Sequence, residues 1–268
     1  MTDAIGIWAY RMTIVEKTIA SLVKYTPADI PIYIMEQTAP EMTAERERLQ
    51  KAVEPCGDRI KIHKCFMNRH RGNAPLSIIK FLNDHPQIQH LLKIDDDFIV
   101  HSDLYTALKE AYDSQPNTLW SQALCPINIC NLDILKQRVK ECEWLPDEAL
   151  DTNRMYEWLH SDNALIYKLW ESTTPPSRIL PQLRSGERFV LEPRCSRSIS
   201  AGHYFANRKD ILLVGGIWDE REWQKLYLSS GRPHVMDTHN IAYHLSWYPT
   251  AKFALDTIVP NIIDKTEF

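Results

Sequence analysis

The first hundred residues predict an α/β fold: a mostly parallel central sheet, Rossmann-like, with helices on both faces. Three observations carry this. Short apolar or alternating runs are separated by segments whose apolar residues recur at helical spacing. The links between them are short, as strand–helix–strand repeats require. The fourth run ends in three consecutive carboxylates, at the carboxyl end of a strand, where open parallel sheets bind their ligands.

The elements follow in order. AIGIWAY (4–10) reads as a buried strand. Thr13-x-x-Glu16 has the form of a capping box, and Ile14, Ile19, Leu22 and Val23 mark the face of the helix behind it. IPIYIME (30–36) is a second strand, and residues 41–54 form a charged surface helix. RIKIHKCF (59–66) alternates like a third strand. Leu76, Ile78, Ile79 and Leu82 give a helical stripe between Asn73 and Asn83, and HLLKID (90–95) is the fourth strand. After residue 100 the rhythm loosens. Residues 102–115 and 131–142 read as helices and 118–126 as a strand. Residues 172–200 hold Arg178, Arg184, Arg188, Arg194 and Arg197 against Glu187 and Glu192, and read as a long, partly mobile segment over the site.

Composition narrows the function classes. With 268 residues, 44% hydrophobic and 25% charged, the chain can bury a sizeable core, and nothing in it suggests a hinge, so 1–268 reads as a single domain. A net charge of -4 gives no global basic field for nucleic acid or an anionic membrane. Eight Trp and eleven Tyr suit sugar or base pockets and equally suit a core. The six Cys (56, 65, 125, 130, 142, 195) show no CxxC and no zinc spacing, which favours a reduced compartment. The N-terminal MTDAIGIWAYR lacks the pattern of a signal peptide, and runs such as ILLVGGIW fall short of the roughly 18 apolar residues of a membrane span. The expected location is the cytoplasm.

Three groups of residues carry chemistry. Asp95, Asp96 and Asp97 crowd like charges that a cation would relieve. Strand alternation puts Asp95 and Asp97 on one side, suited to Mn2+ or Mg2+, and Asp96 on the other, where replacement is best tolerated. The plain alternative is a solvated acidic turn in which Asp97 or Ser102 caps the next helix. In GGIWDEREWQKLYLSSG (215–231), Asp219 or Glu220 is placed to take a proton from an acceptor hydroxyl, unless Asp219 and Glu222 only cap the helix. In HNIAYHLSWYP (239–249), His244 is a candidate third ligand, with His239 a competitor on the opposite face.

In this order the pieces resemble the GT-A-fold glycosyltransferases, particularly those of the family 2 type, over most of the chain. IGIWAYR (5–11) resembles that family's first strand and following turn, with Tyr10 and Arg11 at the nucleotide. IYIMEQT (32–38) resembles the strand ending in a nucleotide-contacting acid, here Glu36 where Asp is usual. NRHRGNAPLSIIKFL (68–82) is similar to the stretch beside the donor diphosphate and contributes Arg69, Arg71 and Gly72. KIDDDFIVHSDL (93–104) matches the Asp-x-Asp motif, with Asp95 and Asp96 at the donor and Asp95 and Asp97 at the metal. SAGHYFANRKDILLVGGIWDE (200–220) resembles the acceptor-side loop, DEREW the catalytic acid motif with its order reversed, and AYH (242–244) the C-terminal His.

The resemblance implies a metal-dependent, inverting glycosyltransferase. Residues 1–100 would bind a nucleotide sugar, a UDP-sugar by preference, and 101–268 the acceptor. Asp95, Asp97 and His244 would hold Mn2+ or Mg2+, and Glu220 is favoured over Asp219 as the base. The chain ends in NIIDKTEF, without a span or basic amphipathic tail, so a soluble acceptor is expected, either a glycan or a small molecule. A hydroxymethylated base in DNA is the alternative, gripped through Arg178–Arg197, Arg208 and Lys209. A nucleotidyltransferase would want glycine after the first strand, and AYRMTIVEK (9–17) has none. A non-catalytic nucleotide-sugar-binding protein would be expected to have lost carboxylates that are all present here.

Overall fold

The structure, a computed structural model, describes residues 2–9, 12, 14–38, 41–65, 74–127, 129–147, 162–191, 202–214, 229–245 and 251–268. Four strands open the fold: β1 (Thr2–Ala9), β2 (Ile32–Glu36), β3 (Ile60–Lys64) and β4 (Ile88–Asp95). They lie side by side in the order β3-β2-β1-β4, all parallel. Helices α1 (Val15–Tyr25), α2 (Thr43–Val53) and α3 (Ala74–Asp84) are the crossovers, so each sequence-predicted strand and helix of this half is found within a few residues of its expected bounds.

The sheet then turns mixed. β5 (Phe98–Val100), β6 (Trp120–Leu124), β7 (Phe189–Leu191), β8 (His203–Asn207) and β9 (His234–His244) continue it. β8 enters antiparallel between β4 and β6, β9 runs parallel to β6, and β5 and β7 pair antiparallel with β9. Further helices are α4 (Leu104–Asp113), α5 (Ile129–Arg138), α6 (Asn163–Thr173), α7 (Pro176–Leu183) and α8 (Arg208–Val214).

Strand alternation assigns the two faces. Ile5, Ile7 and Ala9 of β1 pack with Val15, Ile19 and Leu22 of α1 and with Leu104 and Leu108 of α4. On the opposite face Ala4 packs with Phe81 and Leu82 of α3, Leu91 of β4 and Ile211 of α8, with Trp8 against the cluster. Only Leu49 of α2 is buried, which explains that helix's charged surface. A third cluster joins Leu124 and Ile241 of the sheet to α5, α6, α7 and the C-terminal turns.

Three local expectations are corrected. Thr13 lies outside the described residues, and α1 has Ile14 at its N-cap with no side-chain cap, while Glu16 pairs with Arg48 of α2 instead of closing a capping box. α4 is capped by Asp103, whose carboxylate accepts from the Thr106 amide at 3.0 Å, so neither Asp97 nor Ser102 does that work. Residues 172–200 are not one long loop. Ile179 and Leu183 of α7 are fully buried, and Phe189–Leu191 pairs with β9; only 192–201 lie outside the described residues. The amphipathic Ile179/Leu183 spacing was outweighed there by Pro and Arg content.

The C-terminal carbonyls of α1 are satisfied from another element. Arg59, just before β3, donates to the carbonyls of Val23 (2.7 Å), Thr26 (2.8 Å) and Pro27 (2.9 Å) and to the Thr26 hydroxyl (2.8 Å). These bonds tie α1 to the β2–β3 side of the sheet. Arg59→Ala is expected to lower stability by about 2 kcal/mol, the scale of lost charge-assisted bonds to half-buried acceptors. Urea unfolding with an unchanged slope is the measurement that checks it.

Candidate donor and metal site

β4 is apolar through Leu91, Leu92 and Ile94, all fully buried, and then must end on three carboxylates. Each is given a different partner. The Asp95 amide donates to the Gly202 carbonyl at 2.8 Å, which fixes the strand end against β8. Its carboxylate pairs with the ammonium of Lys93, two residues back on the same face. Burial raises the Asp95 pKa, Asp97 adds repulsion, and Lys93 and His244 oppose the rise.

Asp96 turns to the other side, as alternation expects, but it is not idle. It is 4% exposed. Its carboxylate accepts from the Met12 amide at 2.7 Å, and its carbonyl accepts from the Thr18 hydroxyl at 2.9 Å. Met12 is buried and has φ of 55°, a left-handed conformation that costs a non-glycine residue energy and needs holding. The expectation that Asp96 best tolerates replacement is therefore corrected: losing it would leave a buried amide unsatisfied and release the β1–α1 connection.

Asp97 meets His244. The short β5 strand pairs with the end of β9, Phe98 opposite His244, and the two rings stack with centroids 4.6 Å apart and planes 8° from parallel. This stack and the Leu245 amide, which donates to the Asp97 carbonyl at 2.8 Å, bring His244 Nε2 to 3.2 Å from Asp97 Oδ2. His239, the competing histidine, lies 3.0 Å from the Gly186 carbonyl by its Nε2 and faces away, five residues earlier in β9.

Strand register sets the remaining expected residues in relation to these. Trp8 is level with Asp95 and Ala9 with Glu36, so Glu36 and Asp95 flank the end of β1 at the carboxyl edge of the sheet. Two strand spacings separate them, about 10 Å. Glu36 is itself engaged, by Arg46 of α2 at 3.2 Å and by the Thr38 hydroxyl. Tyr10, Arg11, Arg69, Arg71, Gly72, Asp219 and Glu220 lie outside the described residues.

The Asp97–His244 pair fits a small divalent ion. Two cis ligands of an octahedral ion at about 2.1 Å each stand about 3 Å apart, close to the observed contact. A hard carboxylate with a neutral imidazole suits Mn2+ or Mg2+. Among the described residues no group of three His, Cys, Asp or Glu is arranged to hold an ion, so the expected set of Asp95, Asp97 and His244 is not assembled as such: Asp97 and His244 meet, Asp95 is turned to Lys93, and further ligands would have to come from water or a bound anion.

Residues that sequence reasoning missed are Lys93, Phe98 and His203. Lys93 had a signal, as a lone charge in an apolar strand at period-two spacing from Asp95. His203 is fully buried beside Phe98, with ring centroids 5.1 Å apart. Several cations proposed for phosphate contacts are otherwise occupied. Arg178 donates to the Glu171 carbonyl, Arg188 pairs with Asp237 (3.1 Å) and Glu110 (2.8 Å), and Arg208 donates to the carbonyls of Leu82 and His85. Arg184 and Lys209 are exposed, and Arg194 and Arg197 lie outside the described residues.

No protein-family model matches the chain, and no curated protein matches its sequence. Among solved structures it is similar to that of GalNAc-T7 with UDP, GalNAc and Mn2+, at 12% identity and a TM-score of 0.54, over 93% of this chain and 45% of that one. A structure of S. aureus TarS aligns at 10% identity and a TM-score of 0.33, over 47% of this chain and 22% of that one. The chain spans less than half the length of either. What the likeness shows is the fold, which is of the GT-A type. Among the described residues no helix is long and apolar enough to cross a membrane.

Two histidines near this edge make the fold acid-sensitive. Desolvation holds His203 down to about 3 and His101, which accepts from the Ile241 amide at 3.2 Å, down to about 4. Both stay neutral when folded and take up a proton on unfolding. The stability they provide is complete above the ordinary value of 6.5 and is lost as pH falls towards 4 and 3. Urea titrations from pH 7 to 4 are expected to show a decline of up to about 1.4 kcal/mol per pH unit for each proton. His101→Gln is expected to make that decline shallower.

Proposed function

We propose that this chain is a metal-dependent, inverting glycosyltransferase that moves a sugar from a nucleotide sugar, a UDP-sugar by preference, to a hydroxyl of a soluble acceptor. The observation that carries this reading is the 3.2 Å contact of Asp97 with His244 beside Asp95, at the carboxyl edge of a GT-A-type sheet. The similar structure of GalNAc-T7 was determined with UDP, GalNAc and Mn2+, which supports a nucleotide-sugar donor and a divalent ion here.

In this reading Asp97 and His244 hold Mn2+ or Mg2+, and Asp95, which the structure pairs with Lys93, would join them by sharing its carboxylate between that ammonium and the ion. Such an ion would act as a Lewis acid towards the leaving diphosphate, neutralising the charge that builds there. The remaining work belongs to the chain. Glu36, at the end of β2, and the Tyr10-Arg11 connection border the nucleoside. Asp96 serves the donor indirectly, by holding the amide of Met12 next to that connection. Arg69, Arg71 and Gly72 are assigned to the diphosphate in this reading. Glu220, or Asp219, takes the proton from the acceptor hydroxyl as it attacks the anomeric carbon from the side opposite the leaving group.

The acceptor is a glycan or small molecule in this account. A modified base in DNA is disfavoured because Arg178, Arg188 and Arg208 are held by partners within the chain. We place the enzyme in the cytoplasm, a reading supported by the free thiols of Cys56, Cys65 and Cys142.

Thermal denaturation against nucleotides and nucleotide sugars tests this directly. UDP is expected to raise the melting temperature only when Mn2+ is present. Asp97→Asn is expected to remove that synergy and to lower turnover by about 100-fold or more, the scale of losing a group that stabilises transition-state charge. Metal-independent stabilisation by UDP in both proteins would defeat the metal assignment. An NMR assignment of the product's anomeric centre checks inversion, and retention there would remove Glu220 and Asp219 as general bases.

A further inference from the structure

We propose that Lys93 sets how readily the β4 carboxylates accept a divalent cation, because its ammonium competes for Asp95. This rests on the reading of Asp95, Asp97 and His244 as a cation site.

Lys93 is 5% exposed, an unusual place for a lysine, and lysines are almost never so buried unless paired. Its partner is Asp95. The ammonium also lies 3.5 Å from the Gly202 carbonyl and 5.7 Å from the centroid of the Trp8 ring. The two neighbours stand on either side of β4: Trp8 is level with Asp95 on β1, and Gly202 immediately precedes β8. On the β8 side, Tyr204 stands opposite Lys93 and is itself buried. The lysine stem is therefore walled in on both sides, and its charge is directed along the strand to the Asp95 carboxylate.

A divalent ion bound through Asp95 would share that carboxylate with a fixed positive charge. The ion alone would be repelled by it, and a diphosphate arriving with the ion would be attracted by it. Lys93 thus couples the two. It weakens uptake of the bare cation and strengthens uptake of the cation together with a nucleoside diphosphate. Lys93 is a positioning and charge-balancing residue in this scheme and takes no part in bond making.

The test is Mn2+ binding by titration calorimetry, or by the electron paramagnetic resonance of free Mn2+, with and without UDP. Measured on the full chain, Lys93→Met is expected to bind Mn2+ alone at least tenfold more tightly than the unaltered protein, and to lose most of the gain that UDP adds. Lys93→Arg, which keeps the charge, is expected to stay near the unaltered protein. Equal or weaker Mn2+ binding by Lys93→Met, with Asp97→Asn abolishing binding, would overturn the role of Lys93 and leave the cation site standing. No Mn2+ binding by the unaltered protein or by Lys93→Met would overturn both. If Lys93→Met does not fold, Lys93→Gln carries the same expectation and the same refutation.

Discussion

A buried strand that ends on three adjacent carboxylates is the constraint around which this fold is arranged. Nothing in the apolar body of β4 can solvate those charges, so each needs a partner brought from elsewhere. Lys93 answers Asp95 from within the strand, the Met12 amide answers Asp96 from the β1–α1 connection, and His244 answers Asp97 from the far end of the chain. These contacts tie the strand end to the first crossover and to the last strand.

The second half of the sheet follows from that need. If β4 were a plain edge, Asp95 would have no backbone partner on its outer side. Inserting β8 antiparallel supplies the Gly202 carbonyl to the Asp95 amide and sets His203 behind Phe98. Phe98 then works on two sides, against His203 and stacked on His244. β9 reaches this point through a register shift in its pairing with β6, between Asp237 and Ile241. Asp237 is fully buried there and accepts from Arg188, Asn240 and the His239 amide, so the polar groups of the shifted stretch are matched internally. Arg188 is consequently committed to the scaffold and not to the surface.

Much of the fold was legible because period-two and helical spacings are local. The four parallel strands and their helices are short, and each buries a face that can be counted along the chain. The misses were cases where composition hid a spacing or where two partners competed for one group. Pro and Arg in 172–191 masked the buried pair Ile179 and Leu183. Glu16 had a local use in a capping box and was taken instead by Arg48. Ser102 was a reasonable cap for α4, but its hydroxyl bonds Asn240 at 2.7 Å, and Asp103 caps the helix.

By itself the sequence determined the sheet class, the position of the carboxylates at a strand's carboxyl end, and the opposite facing of Asp95 and Asp96, because alternation is a property of the backbone. Only the tertiary structure decided what each carboxylate does. The Asp97–His244 contact spans 147 positions and depends on the β5–β9 register, which no local period encodes. Asp96 became an anchor because Met12 adopts a left-handed backbone beside it, and Lys93 is paired with Asp95 because strand alternation and the flanking strands bring its ammonium to that carboxylate. Local pattern places a charge on a face; packing chooses its partner.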